Sequence, residues 1–188
     1  MAFTITPEQR EYGLSQGRKR FDNAKRVGAQ NWGGSRSDAD QLEQDQLGCI
    51  GEIVSAAALN LAYDSSIGNY DGIDLSNKIE VRARWDVFGR NQLPLRPAKK
   101  DQAKLHLPFL LVRINRAMDE AMLVGWLLGR EAMWLIKQQP GNRWWNEPSR
   151  CWYIPDAHLH SIYSLQDWLW VGAPLHTWQP PEPSAPSA

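Results

Sequence analysis

The chain has 188 residues, 43% hydrophobic and 22% charged, with a formal net charge of zero and two cysteines. That is enough for one domain of ordinary size with a real core, and two isolated cysteines fit reduced core thiols better than a disulfide framework or a zinc site. The longest apolar runs, "PFLLV" and "AMLVGWLLG", are too short to span a bilayer, and the start "MAFTITPEQR" has no basic-then-apolar pattern, so the expectation is a soluble, cytoplasmic protein.

In chain order, Thr6-Pro7-Glu8 is a helix start: a capping residue, a proline at the first helical position and an acid in the first turn. The helix is expected to run to about Arg26, weakened by Gly13 and Gly17. "GAQNWGGSRS" reads as a loop. Asp38 or Asp40 can cap a second helix reaching about Leu61. Its stripe of Ile50, Ile53, Val54, Ala57, Ala58 and Leu61 has helical spacing, and Cys49, Ala56 and Leu59 make the opposite side small or apolar as well. A helix apolar nearly all round is a buried helix. Between Gln46 and Tyr63 its one charged residue is Glu52, which is costly to bury unless paired or bound to a cation.

"DGIDLSNKIEVRARW" then reads as a β-hairpin around Ser76-Asn77, with Ile79, Val81 and Ala83 alternating with Glu80, Arg82 and Arg84. "NQLPLRPAKKD" suits a short edge strand, since Pro94 and Pro97 forbid a central place. "LPFLLVRI" and "AMLVGWLL" predict two buried strands, "GREAMWLIKQQPG" a short helix, and "RCWYIPDAHLHSIYSLQDWLWVG" a strand followed by one or two helical turns. The end, from "HTWQPPEPSAPSA" on, is Pro/Ser-rich and expected to be disordered. The predicted class is α/β (α+β), with a mixed, mostly antiparallel central sheet flanked by helices. The expected division is 1–37 as an N-terminal helix and loop, 38–172 as the core domain and 173–188 as a disordered tail. Most of the ten tryptophans crowd the second half, as core and rim fillers or, if exposed, as base-stacking platforms.

Charge is segregated. Residues 1–36 hold seven Lys/Arg against three acids, 37–77 hold eight acids and no Lys or Arg, and 78–104 hold eight Lys/Arg against three acids. A metal site flanked by phosphate-binding surface has this pattern, although ordinary solvated faces produce it too. Glu80 and Arg82 lie two apart on one strand and so share a face. A three-residue loop at Ser76-Asn77-Lys78 sets Asp74 opposite Glu80; a two-residue loop gives that place to Asp71, opposite Arg82. Either way two carboxylates converge, at about 5 Å between Cβ atoms. Converging carboxylates repel, and a hard divalent cation relieves the repulsion. His158 and His160, two apart on a helix start, do not face each other and are not read as a metal pair. "RWW" at Arg143–Trp145 suits cation–π packing.

The "GxxGE" pattern ending at Glu52, then Asp74, then "IEVRAR", resembles the PD-(D/E)XK nuclease superfamily. The ordered set "DLSNKIEVRA", "LRPAKKD", "PFLLV", "GWLLGREA" and "WYIPDAHL" resembles small phage and actinobacterial members with an E-V-R motif, over roughly residues 45–166. The resemblance implies a restriction-endonuclease-like core and a phage-encoded, Mg²⁺- or Mn²⁺-dependent nuclease cutting DNA in the host cytoplasm, and it allows a homodimer. It implies Glu52, Asp74 and Glu80 as metal ligands, with Arg82 completing the catalytic set. Arg82 stands where the superfamily has lysine, and arginine stays charged and cannot shuttle a proton. Lys99 or Lys100 are candidates to bring an ammonium group from elsewhere. Arg84, Arg96, Lys99 and Lys100 are the expected DNA contacts, within basic stretches at 18–26 and 96–104. The alternative is a catalytically silent protein of this fold that binds DNA or a host protein.

Overall fold

Thr6 caps the first helix, α1 (Pro7–Arg26), through a reciprocal capping box with Gln9, and Pro7 sits at the first helical position. The next helix, α2 (Asp38–Leu59), is capped by Ser37 rather than by either aspartate: the serine hydroxyl accepts the Asp40 N–H, and the Asp40 carboxylate reaches back to Ser37. It ends at Asn60, whose left-handed φ of 53° stops the helix before Leu61. The computed structural model describes residues 1–28, 37–65, 73–76, 78–86, 92–96, 103–146 and 150–170. Most of the "GAQNWGGSRS" loop and the tail after Trp170 lie outside that set.

Among the described residues there are seven strands, two of which local sequence does not signal. They are β1 (Ala2–Thr4), β2 (Glu80–Trp85), β3 (Gln92–Leu95), β4 (Pro108–Ile114), β5 (Glu120–Leu128), β6 (Trp145–Asn146) and β7 (Cys151–Pro155); two further α-helices are α3 (Gly129–Gln138) and α4 (Ile162–Trp170). The unsignalled strands are β1 and the two-residue β6, both short edge strands. The strands form two sheets, not one. The larger has the order β1-β5-β4-β2, antiparallel except for the parallel β2–β4 pair, and the smaller the order β3-β7-β6. β3 is an edge strand, as its proline requires.

The larger sheet is covered on both faces. On one, Val81, Leu110, Val112, Ile114 and Leu123 pack with Leu47, Ile50 and Val54 of α2 and with Ile162 and Leu165 of α4. On the other, Phe109, Leu111 and Leu127 pack with Leu93, Leu95 and Ile154 of the small sheet and with Ala132 and Ile136 of α3. The chain is thus a mixed α/β fold, and no helix among the described residues is long and apolar enough to cross a membrane.

Two features set up the site. The glycines of α1 let it press on α2: a Cβ on Gly13 would meet Ile50 Cγ1 at 2.5 Å, and one on Gly17 would clash with the Gln46 backbone. Among the described residues, the expected hairpin shows one antiparallel bridge, Leu75 to Ile79, and a second bridge joins Leu75 to Tyr63. β2 pairs instead with β4, whose continuous apolar run offers a longer buried partner.

Candidate functional site: three carboxylates at the edge of the sheet

Because β2 ends the larger sheet, side chains from both of its faces can meet around the open edge. α2 brings Glu52 from one side: Val81 and Ala83 point toward that helix, and a Cβ on Gly51 would touch Ala83 Cβ at 2.5 Å. Glu80, Arg82 and Arg84 point the other way. Arg82 lies 5.0 Å from the Phe109 ring and Arg84 4.7 Å from the Tyr153 ring. This charged face is therefore packed rather than solvated. The small sheet covers it, and Glu80 is only 2% exposed.

The Leu75–Ile79 bridge resolves the parity left open by the sequence. It places Asp74 and Glu80 at neighbouring positions on the two arms, as a three-residue connection requires. Asp74 Oδ2 accepts the Val81 N–H at 2.7 Å, which ties the carboxylate to the outer edge of β2. Arg82 Nη1 donates to Glu80 Oε2 at 3.1 Å and lies 4.0 Å from Asp74 Oδ2, so one guanidinium is hydrogen-bonded to the first carboxylate and within ion-pair range of the second. The same nitrogen donates to the Val81 carbonyl at 3.1 Å. Asp71, the other candidate, lies outside the described residues.

Each carboxylate has a cation. Arg20 of α1 grips Glu52 through two parallel bonds, 2.7 Å from Nη1 to Oε1 and 2.6 Å from Nη2 to Oε2. Lys104, from the turn before β4, places Nζ 2.7 Å from Glu80 Oε1, and its side chain is 9% exposed. Neither partner carries a local signal in sequence: Arg20 sits in the basic stretch at 18–26 expected on DNA, and Lys104 ends the stretch at 96–104. The signal that could have found Arg20 was the lone Glu52 in an apolar helix, which demanded a cation.

The three carboxylates feel one another. Burial, then the charges of Glu52 and Glu80, push the Asp74 carboxyl up to about 7, against the pull of Arg82 and the Val81 N–H. Burial also raises the Glu52 carboxyl, opposed by Arg20 and reinforced by Glu80. Burial pushes the Cys49 thiol, one helical turn before Glu52, up to about 12, so this cysteine is a core thiol and not a nucleophile.

The donor set suits a hard divalent cation, which prefers carboxylate oxygens and is commonly held by one or two of them with waters. Asp74 and Glu80 are such a pair, and Glu80 Oε1 is held by the buried Lys104 ammonium at 2.7 Å. Glu52 is drawn into its own ion pair. Consistent with that, no group of three or more His, Cys, Asp or Glu side chains is gathered tightly enough to hold a metal among the described residues.

Of the expected DNA contacts, Arg84 stacks on Tyr153 and has a buried Nη1 without a hydrogen-bond partner, and Arg96 is exposed. Lys99 and Lys100 lie outside the described residues. In the basic stretch of α1, Arg20 turns inward, Lys25 pairs with Asp38 at 2.6 Å and Arg26 with Asn23, while Lys19 is exposed. The tryptophans whose side chains are described are buried or half-buried, so they fill core and rim. His160 pairs with Glu131 at 2.9 Å and His158 stacks on Trp144, each with its own partner. No family model matches the chain, and neither a curated protein nor a solved structure does.

Proposed function

We propose that the protein is a divalent-metal-dependent phosphodiesterase acting on DNA. The observation that carries this reading is the convergence of Asp74 and Glu80 at one edge, both within 4.0 Å of Arg82 Nη1, with a buried ammonium on Glu80. Asp74 and Glu80 would hold Mg²⁺ or Mn²⁺, which supplies a Lewis acid and an activated water for phosphodiester hydrolysis. Arg82 stays charged at any working pH, and its fork matches phosphate geometry, so its role is to hold the scissile phosphate and steady the charge that grows there. Lys104 sets a second, buried positive charge against Glu80, the carboxylate that would orient the attacking water. Arg84, two residues beyond Arg82 on the same face, would extend the phosphate track.

A second reading rests on a specific observation: Glu52, Asp74 and Glu80 are each already paired with a cation. Full charge pairing suits a silent relative of a nuclease that binds DNA or a protein partner. One experiment separates the two. Purified protein is incubated with linear duplex, single-stranded, circular and branched DNA and with Mg²⁺ or Mn²⁺, beside Glu80→Gln. Metal-dependent cutting that the variant loses supports the phosphodiesterase. A well-folded protein that cuts nothing and binds no metal overturns it in favour of the silent binder.

A further inference from the structure

The grip of α1 on Glu52 has a consequence for metal binding, and it rests on the metal-site reading above. Arg20 lies one turn beyond Gly17 on α1, and helix side chains lean back toward the N-terminus. Its guanidinium therefore reaches the level where Gly13 and Gly17 press against α2. There it takes both oxygens of Glu52, whose side chain is 7% exposed, while Nη2 also lies 3.5 Å from the Tyr63 hydroxyl. Tyr63 is bridged to Leu75, and Ser76 is tied to Ala62 by its own N–H and hydroxyl donating to the Ala62 carbonyl and by its hydroxyl accepting the Ala62 N–H, so this strap leads directly into the turn that carries Asp74. Asp45 and Cys49 are the other titratable groups around the guanidinium. A bidentate guanidinium saturates a carboxylate in both charge and geometry.

We infer that Arg20 is a positioning residue that withholds Glu52 from the Asp74–Glu80 pair, so that a divalent cation meets two carboxylates in the chain as folded and three when the grip of α1 is released. Helix α1 thereby sets the metal affinity of a site to which it contributes no ligand. Anything that lifts α1 from α2, such as a partner bound along α1, tightens metal binding.

The test measures metal binding, not cleavage. Mn²⁺ affinity by calorimetry and Mn²⁺-dependent thermal stabilisation are recorded for the full chain, Arg20→Gln, Arg20→Lys, and Arg20→Gln combined with Glu52→Gln. Releasing a third carboxylate is expected to tighten Mn²⁺ binding about tenfold in Arg20→Gln, within the range by which groups around a metal site tune affinity. The double variant returns to the affinity of the parent. Arg20→Lys, which keeps a charge but not the two-point grip, falls between and serves where Arg20→Gln does not fold. Unchanged or weaker Mn²⁺ binding in a folded Arg20 variant overturns the inference while the metal site stands. Absence of Mn²⁺ binding in parent and variants alike overturns the metal-site reading and this inference with it.

Discussion

Lys104 Nζ and Glu80 Oε1 meet at 2.7 Å, both all but sealed from solvent, although they come from different segments and neither has a neighbour in sequence that announces the pair. Breaking a buried pair costs more than the pair is worth, because the partner left behind stays charged and dry. Lys104→Met should therefore destabilise the protein by about 2–4 kcal/mol in urea denaturation, with Arg82 limiting the loss through its own 3.1 Å contact to Glu80. Combining it with Glu80→Gln should recover most of that loss. Additive losses in the double variant would show that the two groups do not depend on each other.

Asp74 gives a pH dependence whose sign is fixed by its neighbours. Its carboxyl is raised in the folded protein to about 7, above its ordinary value near 3.8, by burial and by Glu52 and Glu80. The folded state thus binds this proton more tightly than the unfolded state. The stability it contributes is complete below the ordinary value and is lost as pH rises through about 7. One-fifth of the side chain is exposed, which trims the effect to about 2 kcal/mol across that window. Asp74→Asn keeps an oxygen for the Val81 N–H and removes the charge, so it should flatten the pH profile of stability between pH 4 and 7 and exceed the parent at pH 8. The Tm of the two proteins across this range, without metal, checks it. A profile unchanged by the substitution would place the titrating group elsewhere.

The helices and the buried strands were legible in sequence because their signals are local. Thr6-Pro7, the apolar α2 and "PFLLV" each carry their own period or cap. The site was half legible for the same reason. Glu80 and Arg82 share a strand face by parity alone, and Glu52 stood out as a lone charge in an apolar helix. What sequence could not give was set by packing between distant segments. The cover of the small sheet over Glu80, the swing of Arg20 inward and the arrival of Lys104 all depend on tertiary approach. The two glycines of α1 show the limit well. Propensity marks them as weak points, whereas the structure uses both as the surface on which α2 rests.

That use of glycine can be tested directly. A methyl group at Gly17 has no space against the Gln46 backbone, which cannot yield as a flexible side chain would. Gly17→Ala gains helix propensity of up to about 1 kcal/mol and must still part the two helices. The net expectation is a loss of about 1–3 kcal/mol, the usual cost of overpacking. Gly48→Ala is the control, since a Cβ there meets nothing within 4 Å; it should be neutral or mildly stabilising. Chemical denaturation of both variants decides the matter. A stabilised Gly17→Ala would mean that α1 rests on α2 less closely than the geometry requires.

Arg84 is the place where the DNA reading meets a measurable electrostatic law. It packs on the Tyr153 ring and is half-buried, so its charge is placed by packing while part of the side chain stays accessible. A residue that contacts only phosphate lowers affinity without altering sequence preference, and it contributes one released counterion. In Arg84→Ala, the dependence of log affinity on log salt should become shallower by about 0.7–0.9 for single-stranded or duplex DNA. Fluorescence anisotropy on two unrelated sequences, between 50 and 200 mM salt, should show the same proportional loss for both. A slope that does not change would remove Arg84 from the phosphate track and leave its guanidinium as a packing element against Tyr153. The same titration on Arg96→Ala, whose side chain is exposed beyond β3, then shows whether the track continues past the small sheet or ends at β2.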